Sequence, residues 1–534
     1  MFDDTGRRSL LAAAVGAVTS LAGCSSGSSS ESATTSPSTA ESTTESPERT
    51  ATTDPTPTET EAGVELDGSV PSSPVRAGES VAVEVTVTNH GTAAEVALTG
   101  RFGDETAFTE SVEVPGGDSV TATFETPPLD RYGSVEVSVN EVRIGTVEFT
   151  HPQEIHVTTD GNDDSPGTES APVATIQEGV DRARPGETVR VHAGEYLGPV
   201  LTRRSGDPDA PITITGPTDA ILRGNPDDWR GVVEIHHSHV HLDGLTIDGL
   251  LDPNAPKEAD SYVDKALVGV SPPSRSDPSE TTDEYLTDVV VKPDRIGNTQ
   301  RNMIIVWRTE DVEVGEFEVI GPAGAGWVFN DREEHVGEII YLGQAPANIV
   351  GKDFDWYPWD RYDATSDVHV HHVDNSAGHP HADLVDCKLG THDVTIEYCT
   401  DAGGSQNNET YIPSSITLRG HDATVRWNRL ADGEGHAIEI RDQRGYSGQR
   451  IEGEPQELVE KAGAGNDVYG NEISGFGGEA LTLPEWLDGE PREQGNVCGN
   501  DVTGETDFDP EQSCSDAVPE GDGIGHLGGD SPWA

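Results

Sequence analysis

Basic side chains are scarce in this 534-residue chain: 33 Lys and Arg stand against 97 Asp and Glu, a formal net charge of −64. A field of that sign repels anions, so nucleic acid and acidic lipid surfaces are excluded as partners. The acids run through every segment that also carries regular apolar periodicity, so they are not one acidic tail. Such a surface suits molar salt, where carboxylates stay hydrated and a Debye length of roughly 3 Å removes self-repulsion. Long hydrophobic runs are also missing. The longest N-terminal one, Leu10 to Ala22, is too short for a permanent membrane span. After Ala183 there is no convincing long amphipathic helix, which excludes a TIM barrel or a doubly wound sheet. Cysteine is sparse, with five in all, and no pair has the spacing of zinc ligands.

What is present begins with an address. Arg7-Arg8-Ser9-Leu10-Leu11 is a twin-arginine pair ahead of the apolar run. The run ends in Leu21-Ala22-Gly23-Cys24, which resembles a lipobox and implies lipidation of Cys24 after removal of residues 1–23. The expected location is the outer face of the cell membrane, held there through the lipid alone. Residues 24–62 are Ser, Thr, Glu and Pro with almost nothing apolar, so they cannot repay the entropy of ordering and read as a stalk. With Cys24 committed, Cys387, Cys399, Cys498 and Cys514 remain, enough for two disulfides in three connectivities. Pairing by proximity, with Cys498–Cys514 stapling the C-terminal end, is the simplest.

Residues 63–152 carry period-2 strands separated by turns. Val81, Val83, Val85 and Val87 alternate with polar residues before Asn89-His90-Gly91, and similar alternation recurs at Val120-Thr121-Ala122-Thr123-Phe124 and Val135-Glu136-Val137-Ser138-Val139. This reads as a small immunoglobulin-like β-sandwich. Val85-Thr86-Val87-Thr88-Asn89-His90-Gly91 resembles the strand and turn of CARDB-type adhesion modules. A rigid spacer and a module that binds a surface partner both fit.

From residue 153 the pattern changes. Thr175 can cap a short helix whose Ile176, Val180 and Ala183 share one face, Pro185-Gly186 ends it, and Thr188 to Tyr196 reads as the first strand. A degenerate unit then recurs: Asp311-Val312-Glu313-Val314, Asp367-Val368-His369-Val370 and Asp393-Val394-Thr395-Ile396. Each offers a few inward apolar residues followed by Gly or Asn, which tolerate a left-handed turn. Stacked units bury what single ones cannot. The predicted fold is all-β: a right-handed parallel β-helix over 153–515 with an N-terminal capping helix, then an acidic, Gly-rich tail over 516–534. The cap and first coil resemble pectate-lyase-like β-helix proteins. Longer non-repeating insertions are placed at 251–300, 344–366, 403–412 and 442–464. Trp356, Tyr357, Trp359 and Tyr362 in the second could stack on sugar rings or fold back as an apolar plug.

Candidate chemistry concentrates between His369 and Arg441. If Val385 and Cys387 face the core, Asp386 points away from it, and Lys388 with it. The same alternation turns out Thr417 and Arg419 one coil later, and Glu439 and Arg441 one coil after that. Lys388, Arg419 and Glu439 or Arg441 would then stack on one outer sheet, with His436 beside them. Such a face could cleave a uronate polymer by elimination, with Lys388 as base and Arg419 as acid or carboxylate clamp. Asp383, Asp386 or Glu439 could hold Ca²⁺ through oxygen ligands. A solvated ladder of opposite charges fits the same residues.

The segments Asp383 to Thr391, Ser415 to Gly420 and His436 to Ile440 resemble the core of the chondroitinase B and alginate lyase family. The resemblance implies a base at Lys388, an Arg at 419 and an acidic Ca²⁺ ligand at Asp383, with His381 standing where a second acid is expected. Glu338-Ile339-Ile340-Tyr341-Leu342-Gly343 resembles a segment that precedes this coil in many β-helix proteins. It adds Glu338 and Tyr341, with Trp356, Trp359 and His436, as candidate substrate contacts. The expected function is a surface-tethered, carbohydrate-active β-helix, favoured as a polysaccharide lyase on an acidic polysaccharide and expected to be a monomer. A non-catalytic glycan-binding or adhesive scaffold is the alternative. The clusters His236, His237, His239, His241 and His369, His371, His372 read as exposed strand positions rather than metal ligands.

Overall fold

The computed structural model describes residues 58–59, 63–228, 230–252, 261–272, 285–325, 337–345, 363–405, 413–442, 461–483 and 493–507. Cys24, Trp356, Tyr357, Trp359, Tyr362 and Cys514, and with them the stalk and tail assignments, lie outside the described residues.

The valine alternation of the N-terminal segment builds two sheets around one core. Ala82–Asn89 pairs antiparallel with Val64–Ser69 on one side and Ser119–Glu125 on the other. Ala94–Phe102, Glu105–Val114, Gly133–Val139 and Val142–Thr150 form the second sheet, with Val75–Arg76 joining it in parallel. Val83, Val85 and Val87 meet Leu98, Phe102, Val137 and Phe149 in a single buried cluster. Alternate residues face out, as a half-buried strand requires.

The helix spans Ile176–Arg182, and the Thr175 side chain accepts from the Glu178 amide at its start. A cap of this kind contributes about 1 kcal/mol. Ile176, Val180 and Ala183 join the solenoid core. The strand thought to be first is not: Glu154–Val157 precedes it and pairs in parallel with Thr188–Val191. The stretch to Tyr196 divides, because a second strand begins at Gly194.

Beyond the helix every sheet pairing is parallel. A nine-stranded sheet runs from Val200–Leu201 to Leu481–Thr482, and a 17-stranded sheet wraps beside it. The longer sheet is bent into two strips by strands that cross a corner: Val240–Asp248 pairs with Leu286–Lys292 through its first half and with Arg295–Gly297 through its second. Each full coil thus feeds three strips, and the chain is a parallel β-helix. Inward positions stack in rows such as Val314, Val370, Ile396, Val425, Val468 and Val497.

The repeating Asp has a geometric reason. Asp288, Asp311, Asp367, Asp393 and Asp422 all have φ between 52° and 57° or within a degree of it. Each stands at a corner in the left-handed region, which a short polar side chain tolerates. The leading Asp therefore shares the turning with trailing residues such as Gly244, Asn298 and Gly470, whose φ values are 88°, 69° and 67°. Other trailing Asn residues serve differently. Asn428, Asn471 and Asn500 form a buried ladder in which each side-chain oxygen accepts the amide one coil back, starting with Cys399 N.

Two expectations need correction. The 251–300 insertion contains three strands in register, Val268–Val270, Leu286–Lys292 and Arg295–Gly297, because Asp288-Val289-Val290-Val291 is another repeat unit. Cys387 and Cys399 are free, buried thiols rather than a disulfide pair. Cys387 sits in the core row beside Val385, whereas Cys399 heads the asparagine ladder. Burial pushes both thiols up, Cys399 to about 12. Cys498 is disulfide-bonded.

Candidate functional site

Four strands of the nine-stranded sheet build the site. Ile340–Leu342, Val385–Cys387, Ser414–Leu418 and His436–Ile440 lie side by side, with Ile340, Val385, Ile416 and Ile438 in one inward row. The alternation turns Tyr341, Asp386, Thr417 and Glu439 outward in a second row. Lys388, Arg419 and Arg441 each follow the last residue of their strand and donate their amide to the coil before, to Leu342, Cys387 and Leu418. The expected stack is therefore two adjacent rows: Glu439 belongs with Asp386, and Arg441 belongs with Lys388 and Arg419. In the coil before Lys388 the same position is Gly343, with φ 73°; a Cβ there would meet the Thr391 methyl at 2.6 Å.

The two cations converge on one carboxylate. Arg419 Nη1 donates to Asp386 Oδ1 and Oδ2 at 2.7 and 2.6 Å. Lys388 Nζ bonds Asp386 Oδ2, lies 3.6 Å from Glu338 Oε1, and sits 4.3 Å from the Tyr341 ring centre. Glu338, Asp383 and Asp386 bring carboxylate oxygens within 4.8 Å of one another. Asp383 Oδ1 accepts the Ser414 amide at 2.8 Å and the Thr417 hydroxyl at 3.1 Å.

All five charges are buried: Lys388 is 6% exposed, Arg419 and Glu338 4%, Asp383 and Asp386 0%. This corrects the sequence picture of a solvated ladder, and the candidate outer face is covered rather than open to solvent. The ions can leave water because they largely neutralise one another. Three carboxylates facing two cations still leave one negative charge over. Asp383 carries the consequence: burial, with Asp386 and Glu338 nearby, pushes its carboxyl up to about 7. Asp386 goes the other way, since Arg419 and Lys388 outweigh the cost of burial. Burial, then Glu338 and Asp386, holds the Tyr341 phenol well above its ordinary value.

Glu439 and Arg441 form their own pair at 2.5 Å beside this cluster. Ser414 links the two groups, its hydroxyl donating to Glu439 Oε2 at 2.8 Å while its amide serves Asp383. His436 is not brought into the cluster; its Nδ1 accepts the Glu479 amide at 2.9 Å. His381, which the family pattern set in a ligand position, bonds Asp401 at 3.0 Å instead, and Asn375 and Ser415 donate to the same carboxylate. Sequence reasoning missed Asp401; no spacing marks it. Glu338 takes the place expected of the second acid, one coil before Asp383.

The three oxygen donors and their surplus charge fit a hard divalent cation such as Ca²⁺. Glu338, Asp383 and Asp386 would hold it, with Asp386 shared with Arg419. The histidine clusters are less exposed than expected. His237 and His371 are buried, and His239 and His241 both bond Asp288, at 2.9 and 2.8 Å.

No protein-family model matches the chain, and no curated protein is similar to it in sequence. Among solved structures it is similar to the pectate lyase Pel9A, at 10% identity and a TM-score of 0.37 over 64% of this chain and 81% of that one. It is also similar to a PL6 family polysaccharide lyase, Pedsa3628 from Pseudopedobacter saltans, at 12% identity and a TM-score of 0.33 over 58% of this chain and 77% of that one. A family 28 exopolygalacturonase from Yersinia enterocolitica aligns at 11% identity and a TM-score of 0.27 over 83% of this chain and 88% of that one. At such scores the ground for the fold remains the strand pairing.

Proposed function

We propose that the protein is a carbohydrate-active β-helix that cleaves a uronate-containing glycan by β-elimination. The observation that carries this reading is the convergence of Lys388 and Arg419, from adjacent coils, on the single carboxylate of Asp386. A uronate carboxylate can replace Asp386 on Arg419, which stabilises the negative charge that develops when C5 loses its proton. Lys388, having passed its own ammonium proton to Asp386, takes the C5 proton as a free amine, the C4–O bond breaks, a C4=C5 double bond forms, and the leaving oxygen is protonated from Arg419 or solvent. A divalent cation on Glu338, Asp383 and Asp386 would supply further neutralisation of the substrate carboxylate.

The test is ultraviolet absorbance from unsaturated uronates while the protein digests a panel of acidic polysaccharides in molar salt, with and without Ca²⁺. A rise that falls by about 10²–10⁴-fold in Lys388→Ala supports the elimination. The burial of Lys388 and Arg419 favours a second reading, a glycan-binding scaffold in which both cations are structural. A flat trace from folded protein across the panel selects it. In either case the molecule is proposed to sit on the outer face of the cell as a monomer, tethered through a lipid on Cys24. Cys24→Ala should then release it to the medium; retention in the membrane fraction would refute the tether.

A further inference from the structure

A second site lies far along the chain from the Lys388 cluster, where the sandwich meets the capping helix. The two parts are bonded to each other there: Arg76 pairs with Glu187 at 2.9 Å, and the Thr168 hydroxyl donates to Asp130. Beside these contacts is a cavity of about 350 Å³ lined by Tyr132, His151, Arg182, Arg184 and Arg204 together with Asp164, Ser165, Glu178 and Asp181. That volume lies in the range of small-ligand sites. Three guanidinium groups around one cavity stand out in a chain with 33 basic side chains against 97 acidic ones.

The arginines are not equivalent. Arg182 is spent on Glu178, at 2.7 Å, and on the main-chain carbonyls of Ser165 and Asp163. Arg204 is spent on the carbonyls of Ala183 and Asp181. These bonds fix two positive charges in place. Arg184 is exposed, and among the described residues its guanidinium has no partner. His151 is 9% exposed, lines the cavity, and has an Nδ1 with no hydrogen-bond partner. A buried polar atom left bare in this way is unusual unless a ligand or water completes it. Burial and the three arginines lower His151 to about 4, so the ring is neutral at ordinary pH. Tyr132 stacks on His151, with centroids 4.6 Å apart and planes 23° from parallel, yet remains 57% exposed.

We propose that this junction cavity binds one uronic-acid residue of a glycan, separately from the Lys388 site. The planar guanidinium of Arg184 matches the carboxylate, which accepts two parallel hydrogen bonds. The exposed face of Tyr132 takes the apolar face of the pyranose. His151 Nδ1 and the carboxylates of Glu178 and Asp181 serve the sugar hydroxyls. A bare inorganic anion would use the arginines and leave the exposed tyrosine face without a role.

The experiment is a calorimetric titration of the full chain with trigalacturonate in molar KCl, beside maltotriose as the neutral probe and sulfate as the inorganic one. Lys388→Ala is the background, so that cleavage is disabled, and the Arg184 and Tyr132 variants separate binding at the junction from any binding left at Arg419. Arg184→Gln should weaken trigalacturonate about tenfold or more, the usual effect of losing a charge-assisted pair. Tyr132→Ala should weaken it by a smaller factor, and maltotriose should bind far less tightly. Unchanged affinity in both variants, with unfolding midpoints matching the parent, would overturn the proposal. So would maltotriose binding as tightly as trigalacturonate, or sulfate displacing the sugar at equal concentration, which would leave an anion site only. Because the readout is binding in a chain without Lys388, failure here leaves the elimination reading untouched, and the reverse also holds.

Discussion

Two clusters on the outside of the solenoid share their ingredients and differ in burial. Glu338, Asp383 and Asp386 surround Lys388 and Arg419 with almost no exposure to solvent. Glu313, Glu316 and His371 surround Lys292, which lies 3.2 Å from Glu313 and 3.7 Å from Glu316. In the second set Glu313 and Glu316 keep 37% and 47% of their side-chain surface. There His371 and Lys292 outweigh partial burial, and Glu313 sits below its ordinary value. In the first set burial is complete, and with Asp386 and Glu338 nearby it pushes Asp383 up to about 7. Burial, not residue type, separates a structural ion pair from a group poised to exchange protons or take up a cation.

The sharpest way to break this contrast is Asp386→Ala, which leaves Lys388 and Arg419 buried without their shared counter-charge. The expected loss is about 3–5 kcal/mol of folding stability, read by denaturant unfolding in molar salt. A loss near zero would mean that the cluster is hydrated after all. Next in size is the pH response. Asp383 holds its proton more tightly when folded, near 7 against an ordinary 3.8. Its contribution is therefore full below pH 4 and lost as pH rises to 7. Asp383→Asn should flatten that part of the melting-temperature profile relative to the parent in chelator, and Ca²⁺ should flatten it in the parent too. An unchanged slope would show that Asp383 is ionised throughout. The smallest effect is expected at the exposed cluster. Glu313→Gln should cost within about 1 kcal/mol, less at high salt, with the difference from the parent vanishing as pH falls below the Glu313 range. A cost matching that of Asp386→Ala would erase the distinction.

Much of this was legible in the residues, and what was not has physical reasons. The β-helix followed from Asp-Val-x-Val units, since a period of two and a corner every coil leave a strong trace. The helix cap followed from Thr175 and its apolar face. Asp386, Lys388 and Arg419 came together because strand alternation sets their direction. Their burial was illegible, because alternation says which way a side chain points and nothing about what lies above it. Asp401 and His381 pair across a coil at a separation no local pattern encodes. The disulfide guess failed for Cys387 and Cys399 because even counts say nothing about direction: Cys387 occupies a core row and Cys399 the head of the asparagine ladder.

The in-register rows have a consequence for how this chain can change. Each coil is an interchangeable rung, and the Lys388 cluster draws on three consecutive rungs, with Glu338, then Asp383, Asp386 and Lys388, then Arg419. Excising the middle rung whole would splice Ile340 onto Ile416 with aliphatic rows still matched. Such a shortened solenoid would keep its core and lose Asp383, Asp386 and Lys388 at once, leaving only Glu338 and Arg419 of the charge set. In this architecture, function can be inserted or deleted in units of one turn of chain while the scaffold scarcely registers the edit.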